Sequence, residues 1–156
     1  PVLDPAEVDD VVVGIARQIG EQSGNVGRHA VALSKLPLSV SAATLSRACS
    51  SGLNAISMAA TQIMSGCADV AIAGGVESIS GLERGTPAKF DDHPRLLAEL
   101  PAIYMPMGNT AEVVARRYSV TREMQDQYSV QSQQRYAAAV ERGDVADEIA
   151  PMQVKW

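Results

Sequence analysis

Three short apolar stretches, Val8 to Gly14, Ser39 to Ala48 and Asp69 to Ala73, are separated by segments of helical period, and this alternation restricts the chain to few folds. Strands joined through helices pair in parallel, and a parallel sheet needs helices to cover its faces. Asp4-Pro5-Ala6-Glu7 reads as a helical turn before the first strand. Gly20, Gly24 and Gly27 mark a loop, and Arg28 to Leu36 a short helix ended by Pro37. From Ser50 the period changes: Leu53, Ile56, Ala60, Ile63 and Cys67 recur at steps of three and four. This places one apolar face on a helix that Gly66 terminates. Gly74-Gly75 then closes the third strand. The expected fold class is α/β, a parallel-rich sheet covered by helices.

Beyond Ser80 no sustained period appears, and Pro87, Pro94, Pro101 and Pro106, half of the eight prolines, fall before Met107. A long loop is expected there. Asn109-Thr110-Ala111-Glu112 has capping-box spacing and opens a helix to about Tyr118. Thr121 caps a second helix with Met124, Tyr128, Ser132 and Ala139 along one side, ended by Gly143. Ile149 to Trp156 reads as the start of a strand. The expected division is 1–80 as an α/β domain and 81–156 as a mainly helical one.

The 156 residues, 46% of them hydrophobic, suffice for the core of an ordinary domain, and a mean hydropathy near zero fits a soluble protein. No apolar run is long enough to span a bilayer, and Pro1 opens no signal-peptide pattern, so the start reads as internal. A net charge of -5 without a Lys/Arg run argues against nucleic acid as a partner, while leaving room for a small anionic ligand. The cysteines, Cys49 and Cys67, form neither a disulfide framework nor a zinc spacing, which points to a reduced, intracellular chain without a metal.

Cys49 falls where the second strand gives way to a helix. A thiol at a helix N-terminus meets the positive end of the macrodipole, which favours the thiolate, and the free amides there can stabilise an oxyanion. Gly52 would remove a side chain that crowds that approach. The plainer alternative is a small buried cysteine, and Cys67, on the apolar helix face, is assigned that role outright. His29 reads as a surface helix residue and His93 as part of a polar turn; neither is a strong partner base.

Cys49-Ser50-Ser51-Gly52-Leu53, followed by Ala73-Gly74-Gly75-Val76-Glu77-Ser78-Ile79-Ser80, resembles the paired active-site signature of thiolases. Pro106-Met107-Gly108-Asn109-Thr110-Ala111-Glu112-Val113-Val114-Ala115, then Thr121 to Asp126 and Ser132-Gln133-Gln134, resembles the family's loop domain. The opening Asp4 to Asp9 is similar to its early segment.

The resemblance implies the N-terminal half of a thiolase-like fold plus part of the loop domain. By that likeness Cys49 would be the nucleophile of a 3-ketoacyl-CoA thiolase, an acetyl-CoA acyltransferase of fatty acid degradation working through an acyl-thioester intermediate. Coenzyme A would be a substrate and not a permanently bound cofactor. The turn from Gly74 to Ser80 would line the site or a subunit contact, and Met107 would face the acyl-CoA channel. Pro106, where members acting on short biosynthetic substrates carry histidine, looks more like the degradative enzymes. The parent would be a homodimer or homotetramer, cytoplasmic in a bacterium, or peroxisomal or mitochondrial in a eukaryote. The family's Gly-His-Pro histidine, Asn-Glu segment and Cys-x-Gly cysteine have no counterpart here, so the chain alone is expected to lack full turnover. A ketoacyl synthase-type condensing enzyme and an inert binding or assembly module are the alternatives; carrier-protein dependence marks the first, an unreactive Cys49 the second.

Overall fold

The computed structural model describes residues 3–84 and 92–153, with backbone alone over 82–84. Two compact units emerge, Pro1–Phe90 and Asp91–Trp156.

The first unit is built on three parallel strands, β1 (Asp10–Gly14), β2 (Ser41–Leu45) and β3 (Ala71–Gly75), in the order β2-β1-β3. Asp10 pairs with Ser41 on one side and Ala71 on the other, and Gly14 with Leu45 and Gly75. Adjacent residues of the central strand address opposite faces. On one face Val11, with Val8, Val31 and Val40, forms a core under helix α1 (Val26–Leu33). On the other, Val12 and Gly14 lie toward helix α2 (Ser51–Met64), which packs on β1 and β3. Full burial of Ile15, Val12 and Val31 supplies about 1.5–3 kcal/mol each.

The expected parallel sheet with helices on its faces is present; several boundaries and one helix face differ. The first two strands are shorter than expected, and β3 keeps its expected length but lies two residues later, so that Gly74-Gly75 completes it instead of closing it. Helix α1 begins at Val26, because Asn25 Oδ1 accepts from the Arg28 amide at 3.0 Å while Asn25 Nδ2 donates to Ala42 at 2.9 Å.

In α2 the stripe expected to be buried faces outward, with Leu53 73% and Ile56 51% exposed. The buried row is Ser51, Ala55 and Ala59, spaced by one helical turn and small enough for the helix to lie close on the sheet. Cys67, expected inside, is exposed beyond the helix end, where Gly66 at φ +74 turns the chain. The helical turn expected at Asp4 to Glu7 is a 3-10 turn over Pro5–Glu7, with the Asp4 side chain accepting from the Ala6 amide.

The proline-bearing stretch expected to be a loop contains helix α3 (Ile79–Arg84) in the first unit and helix α4 (Pro94–Glu99) in the second, with a 3-10 turn at Pro101–Tyr104. Proline suits both second-unit starts, since the first turn needs no donor from it. Pro87 lies outside the described residues. Helix α5 (Met107–Arg117) starts before the expected cap: Pro106 holds the capping position with extended backbone, its carbonyl accepts from Thr110, and Asn109 sits inside the first turn. Helix α6 (Arg122–Arg142) is capped by Thr121 and ended by Gly143 at φ 80, both as expected. The side that carries Met124 and Tyr128 is open, with both residues exposed. No strand appears over 149–153, and the end of the expected strand lies outside the described residues.

Candidate active site

The carboxyl ends of β1 and β3 meet the first turn of α2, the usual place for a ligand crevice in an open parallel sheet. Two glycines allow this approach. A Cβ on Gly14 would lie 2.3 Å from the Ser51 carbonyl carbon and oxygen, and one on Gly75 would lie 3.0 Å from the Gly52 Cα. Gly52, singled out in the sequence for this role, has only ordinary contacts, its nearest being 3.5 Å from the Gly75 Cα. The helix start therefore rests on the sheet backbone to backbone.

Above this contact opens a cleft of about 380 Å³ lined by Ala16, Ala48, Cys49, Gly52, Val76 and Ile79, among others. Cys49 is exposed in it, one residue before the Ser50 cap of α2. Within that first turn the Ser50 and Ser51 amides turn back to Arg47 and Ala48 at 3.1 Å each, whereas those of Gly52 and Leu53 donate to no described acceptor. Ala48, immediately before the thiol, holds φ 47. A left-handed residue with a Cβ costs about 1–2 kcal/mol, so the surroundings must hold it there.

Glu77 lines the same cleft, but its carboxylate oxygens are engaged: the Ala16 and Arg17 amides donate to it at 2.7 and 3.3 Å, and Gln22 Nε2 donates as well. Buried Gln22 also accepts from the Ser78 amide at 2.7 Å, tying the loop after β1 to the turn after β3. The expected Gly74 to Ser80 turn thus contributes Gly75, Val76, Glu77 and Ile79 to the wall beside Cys49. The β1 side of the cleft, Gly14 and Ala16, had no chemical signature in the sequence. No histidine is among its described lining residues: His29 lies in α1 and His93 caps α4.

Met107 belongs to the second unit, where it opens α5 and is 72% exposed. It borders a groove of about 460 Å³ with Val114, Val120 and Gln125, a mostly apolar wall between the two long helices. Among the described residues no group of three or more His, Cys, Asp or Glu is placed to hold a metal ion, and no helix is long and apolar enough to cross a membrane.

The family model for the thiolase N-terminal domain matches residues 1–156. The chain belongs to the thiolase family. Among its relatives, a 3-ketoacyl-CoA thiolase of Bacillus subtilis (strain 168) is 46% identical over 94% of this chain and 37% of its own length. A beta-ketoadipyl-CoA thiolase of Acinetobacter baylyi is 42% identical over 99% of this chain and 42% of its own. A crystal structure of the Bacillus anthracis acetyl-CoA acetyltransferase matches with a TM-score of 0.79 at 32% identity, covering 99% of this chain and 41% of that one. This thiolase chain thus spans about two fifths of the length of those proteins, and the family model it matches is that of the N-terminal domain.

Proposed function

We propose that Cys49 carries the acyl group of a thiolase reaction, within a parent chain that cleaves 3-ketoacyl-CoA to acetyl-CoA and a shortened acyl-CoA. The observation behind this reading is the exposed Cys49 thiol in a cleft at the carboxyl ends of β1 and β3, beside a helix start with unengaged amides. The Cys49 thiolate adds to the 3-keto carbon, and the oxyanion falls where the α2 amides can donate. Collapse breaks the bond between C2 and C3; the electron pair leaves on C2, which takes a proton to become acetyl-CoA. The sulfur of free CoA then attacks the Cys49 thioester, its proton passes to the departing cysteine, and the shortened acyl-CoA leaves.

Coenzyme A and its thioesters are the substrates in this reading, with no resident cofactor, and Met107 offers apolar surface to the acyl-CoA. The parent acts as a homodimer or homotetramer in fatty acid degradation. The chain itself performs the first half-reaction without steady-state thiolysis, in keeping with a cleft whose described lining holds no histidine.

The test is peptide mapping by mass spectrometry after incubation with acetyl-CoA and with acetoacetyl-CoA. An acetyl group is expected on Cys49 and absent from the Cys49→Ala chain. A folded chain that binds acetyl-CoA yet carries the group elsewhere, or not at all, removes Cys49 as the acyl carrier.

A further inference from the structure

One buried polar side chain at the cleft has no part in the chemistry above. Ser51 is 3% exposed, and its hydroxyl does not cap its own helix. Ser51 Oγ accepts from the Arg47 amide at 2.8 Å and donates to the Ala48 carbonyl at 2.6 Å, so both bonds hold the turn that precedes α2. That turn contains Ala48 in the left-handed region, a conformation an alanine leaves unless something retains it. From below, the Ser51 backbone is fixed by the sheet, where even the Cβ of an alanine at position 14 would come within 2.3 Å. A continuous chain of support runs from Gly14 through Ser51 to Ala48, and Cys49 is the next residue.

We propose that Ser51 is a positioning residue for the Cys49 nucleophile: its hydroxyl locks Ala48 in the left-handed conformation and so fixes the direction in which the thiol enters the cleft. Helix capping does not explain these bonds, since neither partner belongs to α2. The effect falls on the approach of sulfur to the carbonyl carbon, where small displacements of a reacting atom are costly. The proposal rests on Cys49 being the acyl carrier.

The experiment is single-turnover acetylation of Cys49 by acetyl-CoA in the 156-residue chain, followed by peptide mass over a range of acetyl-CoA concentrations. Ser51→Ala is expected to lower the limiting rate about 10- to 100-fold. The half-saturating concentration should stay within about threefold and the far-ultraviolet circular dichroism unchanged. Adding Ala48→Gly to Ser51→Ala is expected to restore the limiting rate to within about threefold of the original, because glycine takes a positive φ without strain. A purely structural role would move stability and saturation together, and glycine at position 48 would not repair it.

Unchanged limiting rate in folded Ser51→Ala overturns the proposal, as does a loss that Ala48→Gly leaves unrepaired. Should Ser51→Ala alone fail to fold, the double variant decides: a limiting rate near the original supports the lock, and a tenfold deficit refutes it. Absence of acetylation in the unaltered chain would instead strike at the acyl-carrier reading, a separate result.

Discussion

The two compact units hold themselves together in opposite ways. The first places Val8, Val11, Val12, Ile15, Val31 and Val40 out of water around a sheet whose central strand is covered on both faces, whereas in the second no described residue is buried. Its long helix α6 leaves Met124, Tyr128, Val130 and Tyr136 exposed, and its order comes from a cap at each end and from pairs such as Arg122 with Asp126 at 2.8 Å. Exposed pairs of that kind contribute about 0.3–0.5 kcal/mol. The proposed nucleophile, Cys49, sits on the unit that can fix its backbone; Met107, proposed to offer apolar surface to an acyl chain, sits on the other.

The contrast is open to direct attack. Ile15→Ala should cost about 3 kcal/mol of first-unit stability in urea unfolding, because the site is wholly enclosed. Gly14→Ala should cost about 2–3 kcal/mol and also slow acetylation of Cys49, since the new methyl group drives α2 off the sheet. In the second unit, Thr121→Ala should remove about 1 kcal/mol through loss of the 3.3 Å bond from the Met124 amide, seen as faster hydrogen exchange in the first turn of α6.

Acid provides a subtler probe. Asp9 lies below its ordinary value of 3.8 because the Val70 and Asp69 amides donate to its carboxylate. A lowered folded value favours the folded state above that ordinary value and loses this contribution as pH falls through the folded one. Unfolding at neutral pH should therefore show Asp9→Asn less stable than the original, and the gap should close in strong acid. Tyr128→Ala should change stability by less than about 0.5 kcal/mol. If it proved as costly as Ile15→Ala, the division between an enclosed and an open unit would be wrong.

The sheet was legible because Val11, Val12 and Val13 leave a parallel strand few alternatives, and Thr121 and Gly143 announced the ends of α6 through their own backbone chemistry. The inner face of α2 was not. An apolar stripe of Leu53, Ile56 and Ile63 outweighs Ser51, Ala55 and Ala59 on any hydrophobic count, yet the close contact at Gly14 and Gly75 admits only small residues. Asn109 misled because a good capping side chain cannot reveal that the extended Pro106 has already started the helix. At the candidate site, the place of Cys49 between β2 and α2 was legible from the change of period at Ser50, and the segment after β3 was singled out only by its resemblance. The Ser51 hydroxyl carried no separate signal, since serine right after a capping position is ordinary until its bonds are seen to run backward.

The placement of β1 between two strands that both come later in the chain also governs assembly. Asp10 must wait for Ser41 and then for Ala71, so neither edge of the sheet can close through neighbours in sequence. Such distant pairing is slow to nucleate, since loop closure precedes the reward of contact. The turn that carries Cys49, followed by a helix start resting on Gly14 and Gly75 together, can reach its final shape only after the third strand has docked. Maturation of the thiol is thereby tied to completion of the sheet.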